Sequence, residues 1–394
     1  MAGAVALVLT KQVDFNVIGR ELTANTAINP LKILVLFLSM TILSIYLDEL
    51  GFFSYLANKT LEKAGKSQLK LFLYLYLIVS LLTVFTSNDI IILSFTPFIC
   101  YFAKNARINA MPYLAAEFVA ANTWSMALII GNPTNIYLAT ANGIGFLTYL
   151  KVMALPTLAA GSVALLLLYL MFRKQLLSPI KGRPVQQTIS DRLSLWVGIV
   201  HLALCTVALS VSSYIGWEMW LIAACSVGSL VVWCLIIDWC RHHAPNELLA
   251  SLRRAPWPLV PFVLSMFVMT IALTRHGVTA EVSDFLGSGN PLLGFGLSSF
   301  FASNVINNIP VSVLFSSVIG VSSPAFQTET VYAAIVGSNV GAFPTPIGAL
   351  AGIIRTSILS HHCLRFTYFD FLKMGVTVAV PSLLSALLPL DVLF

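Results

Sequence analysis

Apolar residues run along this chain in stretches long enough to enter or cross a hydrocarbon layer, at 31–47, 69–103, 112–142, 151–172, 193–214, 217–240, 256–274, 290–321, 327–354 and 368–390. An α-helix rises about 1.5 Å per residue and a bilayer core is about 30 Å thick, so about 20 apolar residues make one crossing. The pattern predicts an all-α polytopic membrane protein. Polar positions interrupt it at a few places. In "FASNVINNIPVSVLF" (301–315), Ser303, Asn304, Asn307 and Asn308 stand with Pro310 in a run otherwise fit for lipid. An unpaired amide in hydrocarbon costs several kcal/mol, so these groups need partners in protein, water or cargo.

The order of elements repeats. "LSMTILSIYLDELGF" from residue 38 runs parallel to "LSMFVMTIALTRHGV" from residue 264, each followed by a more polar stretch suited to an interfacial helix. A segment with Ser-Asn at its middle comes next, "FTSNDIIILSFTP" (85–97) in one half and "FASNVINNIPVS" (301–312) in the other. Each half then carries an apolar segment interrupted by Gly, Pro and amides, "ANTWSMALIIGNPTNIYLA" (121–139) and "GSNVGAFPTPIGALAGI" (337–353). This predicts two inverted-topology repeats, each with a re-entrant hairpin and a broken transmembrane helix. The first repeat spans 1–172 with a short N-terminal stub, the second 256–394. Between them, 173–255 holds a basic linker (173–192) and two connecting spans. "MAGAVALVLT" reads as the tail of a span, so either the start is truncated or ten apolar segments suffice.

Charge sets the orientation. Basic residues gather at Lys59–Lys70, at Lys104 and Arg107, at Arg173–Arg192, at Arg241–Arg254 and at Arg355–Lys373, seventeen of the 22 in all. If 69–103 and 290–321 are hairpins that return to the side they entered, every group falls on one face, which the positive-inside rule makes cytoplasmic. The first hairpin then opens from the cytoplasm and the second from outside. The net charge of +6 is thereby accounted for without a nucleic-acid partner.

Composition agrees. With 58% hydrophobic and 10% charged residues and a mean hydropathy of +0.88, the chain lacks the surface polarity of a soluble domain. It belongs in the cell (inner) membrane as a multi-pass protein, with lipid bilayer as a partner and a homodimer left open. Cys100, Cys205, Cys225, Cys234, Cys240 and Cys363 form no CxxC pair and read as buried packing thiols, with no metal site. No HExxH, GxSxG or Walker loop is present, so an enzyme is not expected.

The candidate chemistry lies at the hairpin tips and helix breaks. Helix N-termini bring partial positive charge to an anion, and unwound carbonyls with hydroxyl and amide oxygens make a hard-cation cage. The first tip offers Ser87, Asn88 and Asp89, and the second Ser303, Asn304, Asn307 and Asn308. The first break offers Asn122, Asn132, Thr134 and Asn135, and the second Ser338, Asn339 and Thr345. A sodium site would draw on Ser87, Asn88, Ser303 and Asn304. Interhelical hydrogen bonding is the bland alternative for any single amide. Asp89, the acid at a tip, is the candidate for coupling, and "SND" before "IIILSF" also suits an N-cap. Glu117 reads as interfacial, Glu218 and Asp238 as near span ends, and His201 as a satisfied core histidine. His242, His243, His361 and His362 read as solvated ends.

These motifs resemble the ion transporter superfamily, which takes in arsenite efflux permeases, sodium/proton antiporters, citrate carriers and divalent-anion:sodium symporters. "YLDELGFFSYLA" (46–57), the Asn-Asp of the first tip, the Asn-Asn-x-Pro of the second and "TPIGALAG" (345–352) resemble the arsenite/antimonite permease family most closely. The resemblance implies secondary transport by alternating access, with no cofactor and with H+ or Na+ as coupling ion. It also implies an acidic residue in each broken helix, where this chain has Asn122 and Asn339. Two readings stay open: gradient-coupled efflux of a small inorganic oxyanion or its neutral acid, arsenite-like, and sodium- or proton-coupled carriage of carboxylate or other inorganic anions. No basic residue lies at either tip, which suits a low-charge or neutral substrate.

Overall fold

The computed structural model describes residues 1–394 except 25–28, 181–190, 243 and 362–367. Short helices α1 (Ala2–Leu9) and α2 (Phe15–Thr23) lead into α3 (Pro30–Glu49), α4 (Phe52–Ala64), α5 (Gln68–Phe85), α6 (Asn88–Ala106), α7 (Met111–Trp124), α8 (Pro133–Ala141) and α9 (Phe146–Leu176). After them come α10 (Arg192–Ile215), α11 (Met219–Arg241) and α12 (Asn246–Arg254). The chain ends in α13 (Leu259–Arg275), α14 (Val278–Gly287), α15 (Pro291–Ile306), α16 (Asn308–Gly320), α17 (Gln327–Val340), α18 (Leu350–His361) and α19 (Tyr368–Leu393). Among the described residues, seven helical segments are long and apolar enough to cross a membrane: 30–49, 68–85, 146–176, 192–215, 219–241, 246–275 and 371–393. This is the all-helical, multi-pass membrane chain that the apolar pattern predicts.

Local chemistry sets the boundaries. Asn29 accepts from the N–H groups of Leu31 and Lys32 with Pro30 behind it, and Asn290 accepts from Leu293 with Pro291 behind it. Each places an amide N-cap before a proline whose missing N–H costs nothing in the first turn. The reversal between α5 and α6 falls at Thr86–Ser87, both extended, and the reversal between α15 and α16 falls at Asn307, with φ 77°. Asn tolerates this left-handed region better than most side chains. The second turn thus lies past Ser303 and Asn304, which belong to the last turn of α15.

Both broken helices are real discontinuities. Beyond α7, two 3-10 turns (Ser125–Ala127 and Ile129–Gly131) carry the chain to extended Asn132, which caps α8 ahead of Pro133. The residue before a proline is driven out of the α region, so the helix cannot run through. Residues 341–349 separate α17 from α18, with Pro344 and Pro346 inside the gap. Gly131 is needed at the first break, because a Cβ there would lie 2.2 Å from the Ser125 carbonyl oxygen.

Packing follows a pattern that recurs between the halves. Helix α5 packs on α7 as α15 packs on α17, and α4 on α6 as α14 on α16. Helix α6 crosses to α18 while α16 crosses to α8, and α9 lies along α19. The first arm of each hairpin thus lies on the broken helix of its own half, and the second arm also reaches the broken helix of the other. On α10 and α11, Trp196, Leu204, Val232, Trp233 and Trp239 are exposed, as a lipid-facing pair of spans requires.

Several sequence expectations need correction. Glu117 is not interfacial but fully buried in α7. Arg355, grouped with the cytoplasmic basic residues, is the largest fully buried side chain described, in α18. Cys100, Cys205 and Cys234 are buried, but Cys225 and Cys240 are exposed on α11. His201 is satisfied as expected, with Val197 O at 2.8 Å and Ser229 Oγ at 3.1 Å. Cys363, His243, His362, Lys181, Arg183, Arg365 and half of the 173–192 linker lie outside the described residues.

Candidate functional site

The first hairpin tip meets the first break. Asn88 donates its Nδ2 to Asn122 Oδ1 at 3.0 Å, and Asn122 donates in turn to the Phe118 carbonyl at 2.8 Å. The Ser125 hydroxyl lies 2.8 Å from the Asn122 carbonyl and 3.1 Å from Asn339 Oδ1, which brings the network into the second half. Asn339 Oδ1 also accepts from Asn132 Nδ2 at 2.9 Å, while its own Nδ2 donates to Asn135 Oδ1 at 2.7 Å and to the Ile335 carbonyl at 2.9 Å. Asn132 Oδ1 caps α8 through the Thr134 N–H, and Asn135 ties the Ser125 and Leu128 carbonyls of the unwound stretch. Asn122, Asn135 and Asn339 are wholly buried. With both its donors and its oxygen engaged, Asn339 acts here as interhelical glue.

Asp89 reaches across the halves. The N-cap position of α6 is Ser87, whose hydroxyl makes no capping bond, and the Asp89 carboxylate accepts from the backbone N–H of Ala351. It therefore caps the first turn of α18, not its own helix. This bond satisfies an otherwise orphan donor in the first turn of α18.

The second tip sits on the second break. Asn307 donates to the Ile347 carbonyl at 3.0 Å and caps α16 through Ile309, and the Asn308 N–H donates to the Gly348 carbonyl at 3.0 Å. Ser303, Asn304 and Ser338 bond inside their own helices, to the carbonyls of Ser299, Phe300 and Ile335. Among the described residues, no hydrogen bond joins Asn304 or Asn308 to Asn88. The structure thus brings Asn88, Asn122, Asn132, Asn135 and Asn339 into one network and leaves the second tip as a separate cluster.

Oxygens without partners mark where a ligand would find acceptors. Ser87 Oγ and Asn88 Oδ1 at the first tip, Thr134 Oγ1 at the first break, Asn304 Oδ1 near the second tip and Thr345 Oγ1 at the second break are buried with no hydrogen-bond partner. Neutral oxygens of this kind suit a hydrated alkali cation shedding water, or the hydroxyls of a neutral oxyacid. Among the described residues no cluster of His, Cys, Asp and Glu is fit to hold a metal. Ser87, Asn88 and Asp89 at the first tip and Ser303 and Asn308 at the second are buried, whereas Asn304 and Asn307 are half-buried. A cavity of about 380 Å³ opens elsewhere, beside Lys32, Thr140, Gly145, Ser212 and Trp217.

A second buried polar layer escaped the sequence reading. Thr96 of α6 donates to Glu117 Oε1 of α7 at 2.7 Å, and Arg355 of α18 is electrostatically coupled to Glu117. The Arg355 guanidinium carbon lies 4.7 Å from the Phe118 ring centre and 5.1 Å from that of Phe371. A signal did exist in the sequence. Glu117 has small or apolar residues at every neighbouring helical position, Tyr113, Leu114, Ala120 and Ala121, which is no setting for an interfacial carboxylate.

Comparison with known proteins gives a consistent result. Residues 1–337 match the family model CitMHS, described as citrate transporter. The arsenical pump membrane protein of Escherichia coli (strain K12) is 30% identical over 370 residues, covering 89% of this chain and 84% of that protein. The 46 kDa membrane protein of Mycobacterium leprae (strain TN) is 26% identical over 372 residues, 90% of this chain and 84% of that one. The crystal structure of the Alcanivorax borkumensis YdaH transporter, reported as having an unusual topology, superposes with a TM-score of 0.57 over 91% of this chain and 84% of that chain. At 13% identity that likeness is one of fold alone.

Proposed function

The chain belongs to the citrate transporter family, and on that premise we propose that this membrane transporter of anions is a secondary active carrier working by alternating access. Its cargo in this reading is a small inorganic oxyanion or the neutral acid of one, exported as arsenite and antimonite are, at the expense of an ion gradient. One observation carries the reading. Both hairpin tips and both breaks carry buried oxygens without hydrogen-bond partners, and no basic side chain stands at either tip. Such a field is weak for a trianion and adequate for a hydroxylated neutral acid. The names of the arsenical pump relatives point the same way.

The recurring contact scheme supports two repeats, and the distribution of basic residues supports opposite orientations in the bilayer, with each hairpin re-entrant from its own side. In this reading Asp89 is the coupling carboxylate at the tip. Asp89→Asn keeps an acceptor for the Ala351 N–H but removes a titrating group, so proton-driven flux should be lost while substrate exchange partly survives.

Carriage of citrate or another carboxylate anion with sodium is the second reading. It is favoured by the family's description and by Asn122 and Asn339, neutral where a proton-coupled permease would hold acids. Proteoliposomes with imposed pH and sodium gradients, applied separately and with arsenite and citrate as probes, discriminate the two. Arsenite flux driven by the pH gradient supports the first reading. Citrate flux driven by sodium overturns it.

A further inference from the structure

Glu117 and Arg355 stand apart from the tips. Helices α6 and α18 both run outward from the centre, where Asp89 meets Ala351. Thr96 lies seven residues further along α6 and Arg355 four residues further along α18, about 6–10 Å at 1.5 Å per residue. Helix α7 runs the opposite way between them, with Asn122 level with the tip and Glu117 level with Thr96. The pair therefore sits between the tip and the end of α6 that carries Lys104.

Three observations point to a bound proton. Glu117 is wholly buried, and its Oε1 already has a donor in Thr96. Its Oε2 is buried with no hydrogen-bond partner, which is the position a carboxyl proton or a passing water would take. The facing charge comes from the other half of the chain. Arg355 on α18 acts on Glu117, Cys100 and Thr96 face this region from α6, and no other described charged group acts on the carboxylate. Two buried charges of this kind are a poor choice for stability alone, because well-packed apolar residues commonly serve as well. An ionisable group at membrane depth is more economically explained by traffic through it.

Resting on the reading of an ion-coupled carrier, we propose that Glu117 is a proton-binding residue of the transport cycle, separate from Asp89, with Arg355 as the positioning residue that holds its charged form. The proton adds to Oε2 as an O–H bond, with the Thr96 hydroxyl still donating to Oε1, and it leaves as hydronium to water at the end of the bundle bearing Lys104. The Phe118 and Phe371 rings keep the guanidinium in place through this change.

Infrared difference spectra of the full-length purified protein between acid and neutral pH test this without any substrate. The wild type should show a carboxyl C=O band that Glu117→Gln lacks and Asp89→Asn retains. Arg355→Lys, which keeps the charge but loses the planar stack, should move the midpoint of that band by about one pH unit. Should Glu117→Gln fail to fold, the charge-free double variant Glu117→Met/Arg355→Met gives the same reading. Arsenite flux in proteoliposomes should lose its pH slope in either variant. If the band persists in full without Glu117, the proposal is overturned. If the band behaves as expected while arsenite does not move in the wild type, the substrate reading fails and the proton site stands.

Discussion

Asn304 and Asn339 have the same side chain and opposite situations. Asn339 is engaged at both its donors and its oxygen, so Asn339→Ala strands Asn132 and Asn135 and costs about 1–3 kcal/mol of stability. Asn304 gives its amide only to its own helix and leaves Oδ1 partnerless, so Asn304→Ala should lower transport while moving the melting temperature little. Thermal unfolding in detergent beside flux in liposomes separates the two; normal flux in Asn304→Ala would remove the second tip from the site. The polar residues themselves were legible in the sequence, because an amide in an apolar run has to be accounted for. Which amide binds another amide and which keeps a free oxygen was not, since that depends on partners more than 200 residues away, as between Asn135 and Asn339.

The hairpins and breaks make the predictions at the scale of elements. Single cysteines at Ser87 and Ser303 should react with impermeant thiol reagents from opposite sides of the membrane during turnover, the first from the cytoplasm. Labelling of both from one side contradicts inverted repeats. Close packing of α15 on α17 depends on Gly337, where a Cβ would lie 2.0 Å from Ser299 Oγ and 2.1 Å from the Gly296 carbonyl oxygen. Gly337→Ala should therefore destabilise the protein by about 1–3 kcal/mol, measured by thermal unfolding, through forced separation of these helices. Turn and break positions were readable because proline, glycine and asparagine act locally on φ, ψ and the N–H inventory. The reversal at Asn307 rather than at Ser303 was not, because the chain "SNVINN" offers several residues able to end a helix.

At the scale of the whole molecule, ties between distant elements respond to acid. Lys32 of α3 donates to Glu218 at the start of α11, and this bond holds the Glu218 carboxyl below its ordinary range. A lowered folded value means that the tie's stability is present above the unfolded value and fades as pH falls through the folded one. With Glu218 about half exposed, the contribution stays within ~1 kcal/mol, so Lys32→Met should change the melting temperature slightly at neutral pH and not at all in strong acid. By itself, the sequence determined the membrane class and the polar interruptions at which helices turn and break, because hydrophobic length and capping chemistry act within a few residues along the chain. Only the tertiary structure decided that α6 crosses to α18 and α16 to α8. That crossing turned Asp89 into a cap for the other half's helix and drew Arg355 out of its apparent basic cluster into the interior beside Glu117. The physical reason is that burial and charge pairing depend on which helix lies alongside, and helix neighbours are set by packing across the whole bundle rather than by the pattern along any one segment.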